Sequence, residues 1–169
     1  MPDQVPLPDP PAAPTAEDVV ASLAASPDLL VLTAPASLEV LDLAHAMLAC
    51  LYTEPARGTP SARMRFELAV IEVLGNIVEH AYAHDATLPE EEFRESRRVE
   101  VRLAASDDHL LASLSDNGRP VPLDLEVLVM PDAMAESGRG LALASAALEV
   151  FEYERIGDHN HWRMACRLT

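Results

Sequence analysis

Three polar side chains with complementary chemistry recur at four-residue spacing in the middle of this chain: the carboxylate of Glu72, the amide of Asn76 and the imidazole of His80. Because an α-helix turns about 100° per residue, four-residue steps place all three along nearly one line of a helix surface. A carboxylate accepts protons, and an amide oxygen suits a hard cation such as Mg²⁺. The row is typical either of a reactive site or of a structural hydrogen-bond ladder, and the helix alone does not distinguish them.

The row lies in a stretch that predicts one long amphipathic helix over residues 66–85, with Ser61 as its cap. Four apolar residues and a glycine recur beside the row at three- and four-residue steps: Leu68, Ile71, Gly75, Val78 and Tyr82. We expect this stripe to face the core. The polar row would then border the core, where an unpaired polar group costs about 1–3 kcal/mol. Its members therefore need partners.

Two glycine-bearing stretches downstream supply further groups. Asp116 ends a predicted strand on its core side, where its carboxylate suits a donor such as an exocyclic amine, and Gly118 lets a flat ligand approach the backbone. Gly138, Arg139 and Gly140 open a predicted helix, and helix N-terminal N–H groups with a guanidinium suit phosphate. Either stretch alone is more often an ordinary turn or loop.

The elements that must position these groups follow from hydrophobic periodicity and cap residues. The fold class we predict is α+β, a two-layer α/β sandwich with a mostly antiparallel sheet and helices on one face. Residues 1–16 are Pro-rich and predict a disordered tail, ahead of a single domain over 17–169. In order, that domain is predicted to hold a helix capped by Thr15, a strand over 29–33, a helix over 38–51 capped by Ser37, the central helix, a hairpin with strands near 99–103 and 110–116, a helix over 141–148 and a final hairpin turning at 157–160.

Composition excludes several classes of function. The formal charge of −16 argues against a nucleic-acid surface and permits a basic protein partner. Cys50 and Cys166 are the only cysteines, and they form neither a zinc motif nor a disulfide framework. The acidic stretch 89–95 is more typical of a solvated loop than of a metal cluster. Without a membrane-length apolar run or a visible signal peptide, a soluble cytoplasmic protein is expected.

The motifs occur in an order that is less easily explained by chance than each motif alone. Glu-x-x-x-Asn-x-x-x-His-Ala-Tyr on a helix, then Asp-x-Gly, then Gly-Arg-Gly-Leu and a last hairpin resemble the GHKL ATPase superfamily. More narrowly, the chain resembles the single-domain anti-sigma-factor serine kinases, also called switch-protein kinases. The resemblance covers roughly residues 28–169 and is most specific over 72–82. It implies a Bergerat-type ATP-binding fold, with ATP and Mg²⁺ as cofactors.

The resemblance also implies a role for each matching residue on the central helix. Glu72 would take the proton from the attacking hydroxyl, as the catalytic residue. Asn76 would coordinate the Mg²⁺ that bridges the nucleotide phosphates, and His80 would lie near the phosphate end of the site.

Five further residues would bind other parts of the nucleotide. Asp116 would recognise the adenine amine, with Gly118 beside the base. Gly138, Arg139 and Gly140 would form the hinge of a phosphate-binding lid, whose irregular part is expected to span residues 119–137.

The function implied is that of an ATP-dependent protein serine/threonine kinase acting as an anti-sigma regulatory factor. It would phosphorylate a small anti-sigma antagonist and sequester a sigma factor. Direct contact with nucleic acid or with a membrane is not expected. Since relatives commonly dimerise, a homodimer is left open. One alternative is a nucleotide-gated protein-binding module without significant kinase activity. Another is the detached ATP-binding domain of a histidine kinase, for which His45 is the only phosphoacceptor candidate upstream of Glu72.

Overall fold

The sheet and its helices are seen in a computed structural model that describes residues 12–53, 57–82, 96–121 and 139–169, with all side chains except those of 80–82 and 139. Within these ranges the helices are α1 (Ala16–Ala25), α2 (Glu39–Thr53), α3 (Pro60–Tyr82) and α4 (Arg139–Ala147). The strands are β1 (Leu30–Pro35), β2 (Arg98–Ala105), β3 (His109–Asp116), β4 (Val150–Ile156) and β5 (His159–Arg167). The acidic stretch 89–95, residues 122–138 of the expected lid and residues 1–11 of the expected tail lie outside the described residues.

The five strands form one sheet in the order β1-β2-β3-β5-β4, and all neighbouring strands are antiparallel. The first hairpin forms as predicted, and its register places Val99 opposite Asp116 and Val101 opposite Leu114. These residues are buried, as the alternation of the sequence requires. The α+β fold class with an antiparallel sheet is therefore confirmed.

The main core lies between one face of the sheet and the helices α2, α3 and α4. Its largest fully buried side chains include Trp162, Phe66, Leu48, Leu74 and Leu103. Aromatic residues are few, so Leu, Val and Ala fill most of the remaining space. Helix α3 packs against both α2 and α4, which makes it the central helix of the layer.

Helix α1 departs from the expectation that the helices share one face. Its predicted cap is confirmed, because Thr15 and Asp18 form a capping box. Val19 and Leu23, however, pack in a second cluster on the opposite face of the sheet, with Ala104, Leu111, Val150 and Ala165. These four strand residues alternate with residues of the main core, so both faces of the sheet are apolar at this place. The prediction of helices on one face is wrong for α1.

Helix α3 is also longer and rotated relative to the prediction. It begins at Pro60, and the Thr59 side chain, instead of Ser61, accepts the N–H of Ala62 at 3.1 Å. The predicted core residue Leu68 is 42% exposed, whereas Phe66 and Val73 are fully buried. The rotation follows from packing on three sides, since the sheet, α2 and α4 together bury more than the one stripe that periodicity predicts.

No helix among the described residues has the length and apolar character needed to cross a membrane.

Candidate functional site

Helix α3 and strand β3 both start next to Leu168. The Leu168 carbonyl accepts the Thr59 N–H at 2.8 Å, and the Leu168 N–H donates to the Asp108 carbonyl at 2.9 Å, one residue before β3 begins. Helix α3 then packs along the neighbouring strands β3 and β5. Asn76 lies about 24 Å along α3, and Asp116 lies about 24 Å along β3, at the usual rise per residue of each element. The polar row of α3 and the end of β3 therefore lie at similar distances from this shared start, each along its own element.

Glu72 lies against the first turn of α4, and Asn76 is bonded to Glu72 within α3. The Asn76 amide nitrogen donates to the Glu72 carbonyl at 2.7 Å, so the Asn76 amide oxygen faces away from the helix backbone. The Glu72 carboxylate lies so close to Gly140 that a Cβ at residue 140 would overlap with Oε2 and lie 2.5 Å from the carboxyl carbon. Only glycine gives the carboxylate this space. Glu72 thus contacts Gly140 of α4, and Asn76 lies one turn further along α3.

Asp116 lies at the other part of the site and is only 4% exposed. Its Oδ1 accepts two hydrogen bonds, from the Gly118 N–H at 2.7 Å and from the Asn160 amide at 2.8 Å. Its Oδ2 is buried, and no described residue donates to it. A buried acceptor without a partner costs free energy, so Oδ2 is the atom at which a ligand donor would be most favourable.

The charge of Asp116 is opposed by its burial. Desolvation raises the pKa of Asp116 above its ordinary value. The Asn160 and Gly118 hydrogen bonds and the nearby Arg155 and Arg97 act in the opposite direction without cancelling the effect. A ligand N–H at Oδ2 would favour the ionised carboxylate further.

Gly118 is fitted closely to this carboxylate. A Cβ at residue 118 would lie 2.6 Å from Asp116 Oδ1, which is shorter than side chains tolerate. A side chain here would break the bond between the Gly118 N–H and the carboxylate. Asp116 and Gly118 therefore act as one unit, as the Asp-x-Gly spacing predicts.

Three residues of the last hairpin, Asn160, Tyr153 and Arg155, complete the site and were missed by the sequence reasoning. The Asn160 Oδ1 accepts from the Tyr153 hydroxyl and from Arg155 Nη1, both at 2.8 Å. Arg155 also donates to the Gly118 carbonyl at 2.8 Å, and the Tyr153 hydroxyl accepts the Val121 N–H at 3.1 Å. The hairpin thereby fixes the chain that follows Asp116.

The placement of Asn160 corrects the predicted turn at 157–160. The turn is confined to Gly157 and Asp158, with Gly157 at φ 61°, and Asn160 is a β5 residue that is 1% exposed. Asn160 pairs in register with Asp116. The signal was present in the sequence, because Asn160 is in phase with Trp162 and Met164 on the buried side of the strand.

The remaining predicted site residues are described only in part. His80 and Arg139 belong to α3 and α4, but their side chains are outside the description, and Gly138 lies outside the described residues. Among the described residues, no group of three or more His, Cys, Asp or Glu side chains could hold a metal ion. A magnesium site with one amide ligand, as predicted for Asn76, needs no such group, because Mg²⁺ keeps several waters and takes phosphate oxygens.

The described groups fit a nucleotide. The buried Asp116 Oδ2 offers an acceptor for an exocyclic amine, and the Asn76 amide oxygen offers a ligand for Mg²⁺. Gly140 lies in the first turn of α4, and the N–H groups at the start of a helix favour phosphate oxygens.

Comparisons with known proteins give a family. Residues 34–166 match the family model of the histidine kinase-like ATPase domain. One similar solved structure is the histidine kinase domain of the blue-light activated histidine kinase from Erythrobacter litoralis EL346, at 18% sequence identity and a TM-score of 0.49. The match covers 76% of this chain and 61% of that chain, so this chain spans less than two thirds of the compared domain. No curated protein sequence matches the chain significantly.

Proposed function

This chain belongs to the histidine kinase-like ATPase domain family, and from that premise we propose that it is an ATP-dependent protein serine/threonine kinase acting as an anti-sigma regulatory factor. In this proposal it phosphorylates a small anti-sigma antagonist and also sequesters a sigma factor. The observation that carries the nucleotide part is the buried, unpartnered Oδ2 of Asp116 beside Gly118. The narrower kinase assignment is supported by the resemblance of the Glu72 row to switch-protein kinases and by the position of that row against α4.

Asp116 and Gly118 would bind the adenine base, and Asn76 would hold Mg²⁺ through its amide oxygen. Gly138, Arg139 and Gly140 would hold the phosphates, with His80 near the same end. When bound, Mg-ATP supplies the phosphoryl group together with a metal that neutralises its charge. The chain's own contribution is then to position the reactants and to exclude water between α3 and α4.

Glu72 is the residue proposed to accept the proton of the substrate hydroxyl at its carboxylate. It lies one helical turn from Asn76 and directly against Gly140, so the proposed base, metal ligand and phosphate-binding turn are neighbours. A base must lie within hydrogen-bond reach of the proton that it takes, so the substrate hydroxyl would have to approach Glu72 beside the phosphate end of the site.

The partners are proposed from charge and from the resemblance. A formal charge of −16 favours partners with basic surfaces, since complementary charge speeds encounter and aids selection. A homodimer is part of the proposal because relatives commonly dimerise.

A transfer assay tests the proposal. The chain is incubated with labelled Mg-ATP and with small antagonist candidates encoded in the same genome. We expect label on one candidate in an acid-stable form, as a serine or threonine phosphate gives, and no transfer by Asn76→Ala, which lacks the proposed magnesium ligand. Acid-labile label on a histidine would contradict the serine/threonine assignment. Tight Mg-ATP binding without transfer to any candidate would leave the nucleotide-gated binding module as the function.

A further inference from the structure

We propose that Asn160 determines the purine specificity of the site by holding Asp116 so that its free oxygen Oδ2 is a hydrogen-bond acceptor. The inference rests on the proposed function, because it concerns the base end of the same pocket. Asn160 is a positioning residue in this proposal: it acts through Asp116 and does not itself touch the base.

The orientation of the Asn160 amide is fixed by its neighbours. Its Oδ1 receives the Tyr153 hydroxyl and the Arg155 guanidinium, both at 2.8 Å. Arginine has no acceptor, so a flipped amide would set its NH₂ group against Arg155, donor against donor. The amide nitrogen must therefore face the other way, where it donates to Asp116 Oδ1 at 2.8 Å and to the Arg119 carbonyl at 3.0 Å.

This orientation decides which oxygen of Asp116 meets a ligand. Oδ1 is occupied by two N–H donors, those of Asn160 and Gly118, so it has no room for a third partner. Oδ2 is buried and has no donor among the described residues. The ionised carboxylate offers an acceptor at Oδ2, whereas a protonated carboxyl offers a donor there.

These two states select opposite purines. An acceptor at Oδ2 suits a 6-aminopurine, which donates N–H from its exocyclic amine. A donor at Oδ2 suits a 6-oxopurine, which presents a carbonyl oxygen at the same position. A site built around a buried hydrogen bond strongly rejects a ligand that leaves the group unpaired.

Asn160 is an important influence on whether Asp116 is ionised or protonated. Burial raises the pKa of Asp116, and the Asn160 hydrogen bond is the largest opposing influence, ahead of the Gly118 N–H, Arg155 and Arg97. His161, next to Asn160 on β5, adds little positive charge, because burial lowers the pKa of its imidazole. Removing the Asn160 donor shifts Asp116 toward the protonated form and weakens the preference for an amine.

The test measures equilibrium binding of ADP and of inosine diphosphate, which differ in the group at position 6, to the full chain at neutral pH. We expect the wild type to prefer ADP. Asn160→Leu removes the donor at similar size and should lower the ratio of ADP affinity to inosine diphosphate affinity by about tenfold or more, as the loss of one charge-assisted hydrogen bond implies. Arg155→Met removes the group that orients the amide and should lower the ratio in the same direction.

Asn117→Leu is the matched control. Its amide accepts the Arg98 N–H at 2.8 Å and donates to the Ser96 carbonyl at 2.7 Å, so it supports the same turn without bonding Asp116. It should change both affinities by the same factor and leave their ratio intact. Equal losses for both nucleotides in Asn160→Leu would overturn the inference; if that variant does not fold, an unchanged ratio in Arg155→Met does so. A wild type that binds neither nucleotide would instead overturn the proposed function itself.

Discussion

Asp116 is a residue whose burial works against the stability of the unliganded chain. Among the described residues, Oδ1 of its carboxylate accepts two hydrogen bonds and Oδ2 accepts none. Because the pKa of Asp116 in the folded state lies above its ordinary value of 3.8, the folded state retains a proton at pH values where the unfolded state has lost it. The contribution of Asp116 to stability therefore falls as pH rises from about that value through the raised pKa. The unliganded site therefore contains a buried carboxylate whose charge is unfavourable until a ligand donor bonds to Oδ2.

Asp116→Asn should stabilise the unliganded protein and weaken nucleotide binding. The amide oxygen still accepts from Gly118 and Asn160, while the buried charge disappears. We expect a rise in melting temperature of roughly 2–4 °C at pH 7, as about 1 kcal/mol gives a domain of this size. Thermal unfolding at pH 7 and pH 4 checks the sign, since the difference from wild type should shrink toward acid. A variant that is less stable at pH 7 but binds ADP normally would contradict this account.

Glu72→Gln should separate chemistry from binding. The amide keeps the size of the side chain but cannot take a proton, so phosphotransfer should fall by roughly 10²–10⁴-fold with nucleotide affinity nearly unchanged. The fall will be smaller if positioning carries most of the rate, as is common in phosphoryl transfer. Single-turnover transfer and ADP binding are the two measurements. Glu79→Gln is the control, because it is the same substitution at an exposed position of the same helix.

The helices and strands could be predicted where one local sequence pattern determines them. They could not be predicted where packing between several elements determines their position. Alternation predicted the first hairpin and the burial of Asp116, and the Thr15 cap predicted the start of α1. The local pattern did not predict that α1 packs on the other face of the sheet. Strand residues such as Leu111 make that face apolar too, so both faces can accept a helix. Asn160 was not predicted as a site residue for a related reason. An asparagine near Gly157 is typical of a turn, and only the pairing of β3 with β5 shows that Asn160 is buried beside Asp116.

Gly140→Ala should act on catalysis more than on stability. The atom that a new Cβ would overlap is the end of a flexible side chain, so the Glu72 carboxylate can move aside at little cost. Displacing the proposed base by about 1 Å should lower phosphotransfer by roughly 10²-fold. Transfer rate and melting temperature should be measured on the same preparation.

Gly75→Ala is the matched control for that substitution. A Cβ at residue 75 of α3 meets nothing within 4 Å, so the change should only add helix propensity, worth about 0.5–1 kcal/mol of stability. If both glycine variants lose transfer equally, the contact between Glu72 and Gly140 is not the cause.

At the scale of the whole molecule, the described residues form two cores, one on each side of the sheet. The larger core carries α3, α4 and the candidate site, and the smaller lies under α1 on the far side. Ligand binding should stabilise the molecule as a unit, because small domains usually unfold in one step. Damage to the smaller core should lower stability without changing the pocket.

Mg-ATP should raise the melting temperature of the wild type. At a nucleotide concentration one hundred times the dissociation constant, the native state gains about 2.7 kcal/mol. For a chain of this size the shift is roughly 5–10 °C. Thermal unfolding with and without Mg-ATP measures it, with inorganic phosphate and Mg²⁺ as the control. A melting temperature indifferent to ATP at millimolar concentration would contradict nucleotide binding.

Val19→Asp should destabilise the protein through the smaller core. Val19 is fully buried between α1 and the sheet, and a carboxylate there should lower the free energy of unfolding by about 3 kcal/mol or more. Val20→Asp is the control, because the neighbouring valine is 45% exposed and should change stability by less than about 0.5 kcal/mol. Denaturant unfolding measures both. ADP affinity in the folded state should match wild type, and a selective loss of affinity in Val19→Asp would show that the two cores are coupled.

The position of α1 has an evolutionary consequence. The helix precedes residue 34, where the match to the family begins, and it rests on the side of the sheet away from Glu72 and Asp116. Substitutions in α1 are constrained mainly by packing against a few apolar residues of the sheet. We therefore expect α1 to vary more freely between lineages than α3, because the residues proposed to act on a nucleotide lie on the opposite side of the sheet.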